Sequence, residues 1–241
     1  MAELLTADSL LALLTLTGLE IVLGIDNVVF LAILVGKLPV EQQGIGRKLG
    51  MGLALIVRLG LLFSISWVMG LTEPLFEAFG RGFSGRDLIL MGGGAFLIAK
   101  ATHEIHDKIE NSSPEAEAKA RQVRAKFAAV IAQIVVIDII FSLDSVITAV
   151  GMAQQIGVMV IAMILAVGVM FFSAEAIGNF VHRHPTIKML ALSFLILIGV
   201  MLLVEGTGAH VNKGYIYFAM AFSLGVELLN IKLRKKTRAR A

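Results

Sequence analysis

The chain has 241 residues, of which 57% are hydrophobic and 16% charged, and its mean hydropathy is +0.86. Soluble domains average about 45–50% apolar and ~25% charged residues, so this composition argues against a soluble globular enzyme. Cys is absent, which removes disulfides, thiol catalysis and thiolate metal sites.

Seven apolar stretches follow one another: 10–35, 49–71, 88–100, 127–151, 158–181, 187–204 and 216–231. A bilayer core needs about 20 apolar residues per helix. Lipid also requires each segment to satisfy its own backbone hydrogen bonds. The expectation is an all-α membrane protein with seven transmembrane helices. The third and seventh stretches are short, and their polar ends are expected to snorkel. The first carries Glu3 and Asp8 with no basic flank, and reads as an uncleaved first helix rather than a signal peptide. No ten-residue alternating segments suggest a β-barrel.

Basic residues set orientation. Lys37, Arg47 and Lys48 follow the first stretch, and Lys108, Lys119, Arg121, Arg124 and Lys126 follow the third. Arg183 and Lys188 follow the fifth, and six more lie in the tail from Lys232 to Arg240. Sixteen of the 21 basic residues thus fall on one side if there are seven spans. The N-terminus is expected outside and the C-terminus in the cytosol, with the basic tail near anionic lipid rather than nucleic acid. The polar stretch 104–126 contains Asn111, Ser112, Ser113 and Pro114, and reads as a cytosolic linker or short helix capped by Ser113.

Two segments in the first and fourth stretches resemble each other. Glu20 is followed by five residues, then Asp26, Asn27 and Val28; Asp138 is followed by five residues, then Asp144, Ser145 and Val146. Three spans separate the copies, so the second enters the membrane from the opposite side, as in an inverted repeat. At 100° per residue, Glu20 and Asn27 share a helix face, as do Asp138 and Ser145. Gly24 and Ser142 occupy equivalent places, where a local helix break would re-aim the aspartates. Each acid at the centre of a membrane helix costs roughly 2.5–3.5 kcal/mol on insertion scales. Interhelical hydrogen bonds of neutral acids average only ~0.6 kcal/mol. The four acids are therefore expected to face one another and hold a cation, with protons relieving their repulsion when it is absent. Carboxylate, amide, hydroxyl and carbonyl oxygens suit Mg²⁺, Ca²⁺ or Mn²⁺. The 11 Met read as core or lipid-facing filler.

Other polar residues fall in or near lipid. Arg58 lies too deep to snorkel, and Glu175 in the fifth stretch is the available partner, as a structural or gating pair. Lys100, His103, Glu104 and His106 cluster where the third stretch ends. Lys100-Ala-Thr-His and Glu205-Gly-Thr-Gly are weak repeat equivalents. Gly92, Gly93 and Gly94 are expected to allow close helix approach.

The segment Thr17 to Asn27, the Asp138 to Val146 segment, Lys100 to His106 and Lys213 to Ser223 together resemble the TerC family of integral membrane proteins. The resemblance spans nearly the whole chain, with Asn212 standing where Pro is expected. It implies a fold similar to the LysE transporter superfamily, with two inverted three-helix repeats, 1–103 and 127–206, joined by 104–126. A further helix and tail occupy 207–241. It also implies metal-ion transport, most often manganese efflux, with Glu20, Asp26, Asn27, Asp138, Asp144 and Ser145 as metal-site residues. The resulting expectation is a multi-pass protein of the bacterial cytoplasmic membrane, not an enzyme. It would export Mn²⁺ through a midplane carboxylate site with protons as coupling ion. A Ca²⁺ or other cation exchanger and a non-transporting membrane-complex component are the alternatives. No nucleotide-binding motif is present that would let ATP drive transport directly. Nothing in the sequence sets the oligomeric state.

Overall fold

The computed structural model describes residues 7–78, 80–110, 126–152, 156–209 and 211–238, and among these not the side chains of residues 7, 8, 23, 25, 26, 66, 144, 148–152, 235, 237 and 238. Seven long helices are described: α1 (Ala7–Val35), α2 (Val40–Phe63), α4 (Gly85–Glu110), α5 (Phe127–Met152), α6 (Ile156–Arg183), α7 (Pro185–Gly206) and α8 (Lys213–Arg238). A short α3 (Ile65–Gly70) follows α2. At 22–29 residues each, the long helices reach roughly 33–44 Å, enough to cross a hydrocarbon core of about 30 Å. Six of them, all but α2, are both long and apolar enough to span a membrane. The α2 helix carries Glu41, Arg47, Lys48 and Arg58 along its length, which lowers its apolarity.

Contacts between helix ends nevertheless fix the path of α2. Lys37, just after α1, pairs with Glu104 near the end of α4, so α1 and α4 finish at the same end of the bundle. The start of α4 lies at the other end, where Arg81 reaches the Gly206 carbonyl of α7 at 3.4 Å. Since only four residues separate α2 from α1, it runs between these two ends, antiparallel to α1 and α4. Phe127 at the start of α5 lies against Gly46 near the start of α2, and His182 at the end of α6 lies against Gly36. The end containing Gly36 also holds Lys37, Arg47, Lys108 and Lys188, charges that the sequence groups on one side of the membrane.

An element that the all-α expectation does not contain joins α3 to α4. Strands β1 (Pro74–Ala78) and β2 (Arg81–Ser84) pair antiparallel. Phe76 stacks on Phe83 with ring centroids 5.5 Å apart, and Arg81 sits 5.1 Å from the Phe83 centroid. Gly80 turns the hairpin at φ 75°, a left-handed conformation that favours glycine. The hairpin runs directly into a reciprocal cap of α4. Asp87 N donates to Ser84 Oγ at 3.1 Å, and Ser84 N donates to Asp87 Oδ2 at 3.0 Å. Such a box satisfies two otherwise orphaned donors. In the turn between α7 and α8, Asn212 Oδ1 accepts from Gly214 N at 2.9 Å. The residue found in place of the expected Pro therefore caps α8.

Three helix pairs pack most extensively: α4 with α7, α1 with α6, and α2 with α5. The α4–α7 crossing depends on glycine. A Cβ on Gly94 would stand 2.5 Å from the Gly199 carbonyl oxygen, and one on Gly199 would stand 2.8 Å from that of Gly94. Backbone cannot yield to this as a side chain would, so the expected close approach holds at Gly94. Gly93 meets Ile140 of α5, while Gly92 meets nothing within 4 Å. Gly94→Val should therefore abolish recovery of folded protein, whereas Gly92→Ala should leave it unchanged. Yield and monodispersity after detergent extraction check both. In contrast, α8 packs on the periphery, with only 6% of its most apolar stretch buried.

Candidate functional site

Arg58 lies in the middle of the bundle, on the face of α2 that meets α5. Its Nη1 donates to Glu20 Oε2 of α1 at 2.8 Å. Its Nε and Nη2 donate to Asp138 Oδ1 of α5 at 3.3 and 3.1 Å. The residues are 4%, 5% and 5% exposed for Arg58, Glu20 and Asp138, so all three charges are buried. The leading acids of the two repeated segments are thus brought together, as the sequence requires, and the agent joining them is Arg58. The expected Arg58–Glu175 pair does not form: Glu175 lies on an exposed face of α6. The reason is packing, since α2 lays its Arg58 face on α5 and α1. It follows that Arg58 compensates the acids in this state, a role the sequence reading gave to protons or a metal.

Both helices run unbroken through the repeated segments. The expected break at Gly24 and Ser142 is therefore absent. Ser142 is fully buried and its Oγ donates to Asp138 Oδ2 at 3.1 Å, one turn back along the same helix. Gly24 serves a different purpose. A Cβ there would collide with Met170 Sδ of α6, and its three nearest neighbours are all Met170 side-chain atoms. The glycine lets a thioether rest on the motif.

Beside the triad lies a cavity of about 40 Å³, lined by Asn27, Met51, Arg58, Asp138, Met170 and apolar neighbours including Val28, Ile134 and Val167. That is space for two or three waters or an ion of similar size. Asn27 Oδ1 is buried with no hydrogen-bond partner among the described residues. Ser145 instead turns its hydroxyl back to the Ser142 carbonyl of its own helix, at 3.2 Å. The side chains of Asp26 and Asp144 lie outside those described, although their backbones are helical. Among the described residues, no group of three or more His, Asp or Glu is gathered as a metal centre.

The remaining sequence candidates sit at the ends of the bundle. Lys100 pairs with Glu104 at 2.9 Å, and Glu104 also takes Lys37, so one buried carboxylate holds two lysines. His103 and His106 point outward to Asp107 and Glu110, at 3.4 and 3.3 Å. At the opposite end, Glu205 is buried and lies 3.8 Å from Lys213. Lys100 and Glu205 therefore stand at opposite ends of the α4–α7 pair and do not meet. Ser113 and Pro114 lie outside the described residues.

Residues 5–241 match the profile of the integral membrane protein TerC family. The chain belongs to that family. It is 56% identical to the UPF0053 inner membrane protein YgdQ of Escherichia coli K12 over 226 residues, 94% of each chain. It is 52% identical to a UPF0053 protein of Haemophilus influenzae over 229 residues, 95% of each chain. It is also 50% identical over 218 residues to the UPF0053 inner membrane protein YoaE of Escherichia coli K12, covering 90% of this chain and 42% of that protein. No solved structure matches the chain. Within the TerC frame the resembling segments fall where the polar groups of the bundle are: Glu20 and Asp138 in the triad, Lys100 and Glu104 at the basic end. Met51 and Met170, read from the sequence as filler, are buried in the core and also line this cavity; a methionine gives no signal of a site until its neighbours are known.

Proposed function

We propose that this TerC-family protein is a secondary transporter of the bacterial inner membrane that exports a divalent cation, Mn²⁺ first, in exchange for protons. The observation that carries the reading is the burial of Glu20 and Asp138 around one guanidinium, beside a cavity of ionic size. Intramembrane ionisable groups that pair with each other are expensive and mark ion pathways. In the ion-free state Arg58 acts as a tethered cation. An entering divalent ion offers the two carboxylates more charge than Arg58 does and takes its place. When the ion leaves, Arg58 or protons restore the balance, so the emptied site need not stay open. Manganese and the outward direction rest on the family resemblance, and the inner membrane on the names of the relatives.

Seven spans with two inverted repeats support alternating access in this reading. Number the long helices other than α8 one to six in order. The three dominant pairs are then 1 with 5, 2 with 4, and 3 with 6. Advancing each number by three exchanges the first two pairs and returns the third to itself, the pattern a two-fold axis through the third pair would create. Gly94 and Gly199 meet reciprocally at that crossing, and each precedes its proposed repeat partner, Lys100 or Glu205, by six residues. The basic end of the bundle is then cytosolic, with the N-terminus outside.

One observation favours a non-transporting role: Arg58 already satisfies both acids. Elemental analysis of cells under manganese load separates the two. Cells making the protein should hold several-fold less manganese than cells lacking it. Equal contents at equal expression would favour the structural role, and a fall in calcium alone would favour a Ca²⁺ exchanger.

A further inference from the structure

The cavity beside the triad has two kinds of donor. Asp138 and Asn27 offer oxygen, and Asn27 Oδ1 is unmatched among the described residues. Met170 and Met51, each with a thioether side chain, line it as well. Gly24 adds a constraint on which sulfur matters. Glycine inside a continuous helix costs roughly 1 kcal/mol relative to alanine. Here it neither breaks the helix nor turns it. What it does is admit Met170 Sδ onto the motif, between the positions of Glu20 and Asn27.

We propose that Met170 supplies a thioether contact to the transported ion and makes the cavity selective for transition-metal divalent cations over Mg²⁺ and Ca²⁺. The inference rests on the cation-transport reading and narrows its substrate class. Mg²⁺ and Ca²⁺ are hard ions that take oxygen ligands and gain nothing from sulfur. Thioethers are polarizable and favour softer metals. Mn²⁺ is the hardest of the first-row series, so oxygens from the acids and Asn27 supply its affinity. The sulfur supplies the difference from Ca²⁺. In a cavity otherwise walled by Val28, Ile134 and Val167, few waters remain to replace a missing ligand.

Two variants isolate the sulfur. Met170→Leu conserves volume, a swap that cores tolerate. Gly24→Ala keeps the thioether but pushes the flexible end of Met170 away. The test is binding of MnCl₂, CaCl₂ and MgCl₂ to the purified full-length chain in lipid nanodiscs, with X-ray absorption at the manganese edge. Wild type should prefer Mn²⁺ and show a sulfur neighbour. Both variants should lose roughly tenfold in Mn²⁺ affinity and keep their Ca²⁺ affinity, and the sulfur neighbour should vanish. An unchanged Mn²⁺-to-Ca²⁺ ratio and an unchanged edge spectrum in Met170→Leu would overturn the sulfur contact and leave the cation site standing. A wild-type chain that binds none of the three ions would overturn both.

Discussion

Replacing Arg58 with leucine should nearly eliminate folded protein. The substitution leaves Glu20 and Asp138 facing each other, both buried, with their only described cationic partner gone. Breaking a buried pair by removing one partner costs about 3–5 kcal/mol, a large share of the ~5–15 kcal/mol that stabilises a typical domain. Here two acids are orphaned by one change, so the upper part of that range is expected. The effect should be reversible by chemistry at a distance: Arg58→Leu combined with Glu20→Gln and Asp138→Asn removes the stranded charges. Thermal unfolding in detergent should place the triple variant well above the single one. If Arg58→Leu alone melts like wild type, the triad contributes nothing to the bundle. Glu175→Gln should be nearly neutral in the same assay, because Glu175 is exposed and does not reach Arg58.

Asp138→Asn should instead yield folded protein that no longer moves its ion. The amide keeps the size of the acid; its one oxygen can still accept from Arg58 and its NH2 can donate to the Ser142 hydroxyl, while Arg58 retains Glu20. What it loses is the charge that a divalent ion needs. Transport should fall at least a hundredfold, as judged by manganese efflux from loaded vesicles, with the extraction yield within about twofold of wild type. Glu20→Gln should behave in the same way. Asp26→Asn and Asp144→Asn are expected to follow if those acids complete the site. Continued protection of cells from excess manganese by all four variants would remove the carboxylates from the pathway.

The two leading acids were legible because nothing else in an apolar helix explains an acid repeated at one spacing. Six spans were legible from apolar length, and the seventh long helix, α2, was legible in its second half, where the charges of its first turns give way to Leu49 and its successors. The partner of Arg58 was not legible. A guanidinium in the second apolar stretch can reach any acid on a neighbouring helix, and which helix is the neighbour depends on packing that sequence order does not encode. Gly24 failed for a related reason. A glycine in a helix signals either a break or a close approach, and only the position of Met170, far along the chain, decides between them. The β1–β2 hairpin was hidden because its strands are four or five residues long and sit between two apolar stretches. Its cap was written in the sequence: Ser84-Gly85-Arg86-Asp87 has the spacing of a capping box.

The most direct measurement is a titration of the purified chain with Mn²⁺ at several pH values, in buffers of different ionisation enthalpy, beside Asp138→Asn. A metal binds deprotonated carboxylates, so protons compete with it and are released when it enters. In a carboxylate exchange site the coupled acids would titrate as a group, so the protons released would belong to the cluster rather than to one residue. Wild type should bind Mn²⁺ more tightly as pH rises and should release protons as it does so, while Asp138→Asn should bind at least a hundredfold more weakly. Affinity independent of pH, no proton release and equal binding by the variant would contradict a carboxylate site that exchanges metal for protons.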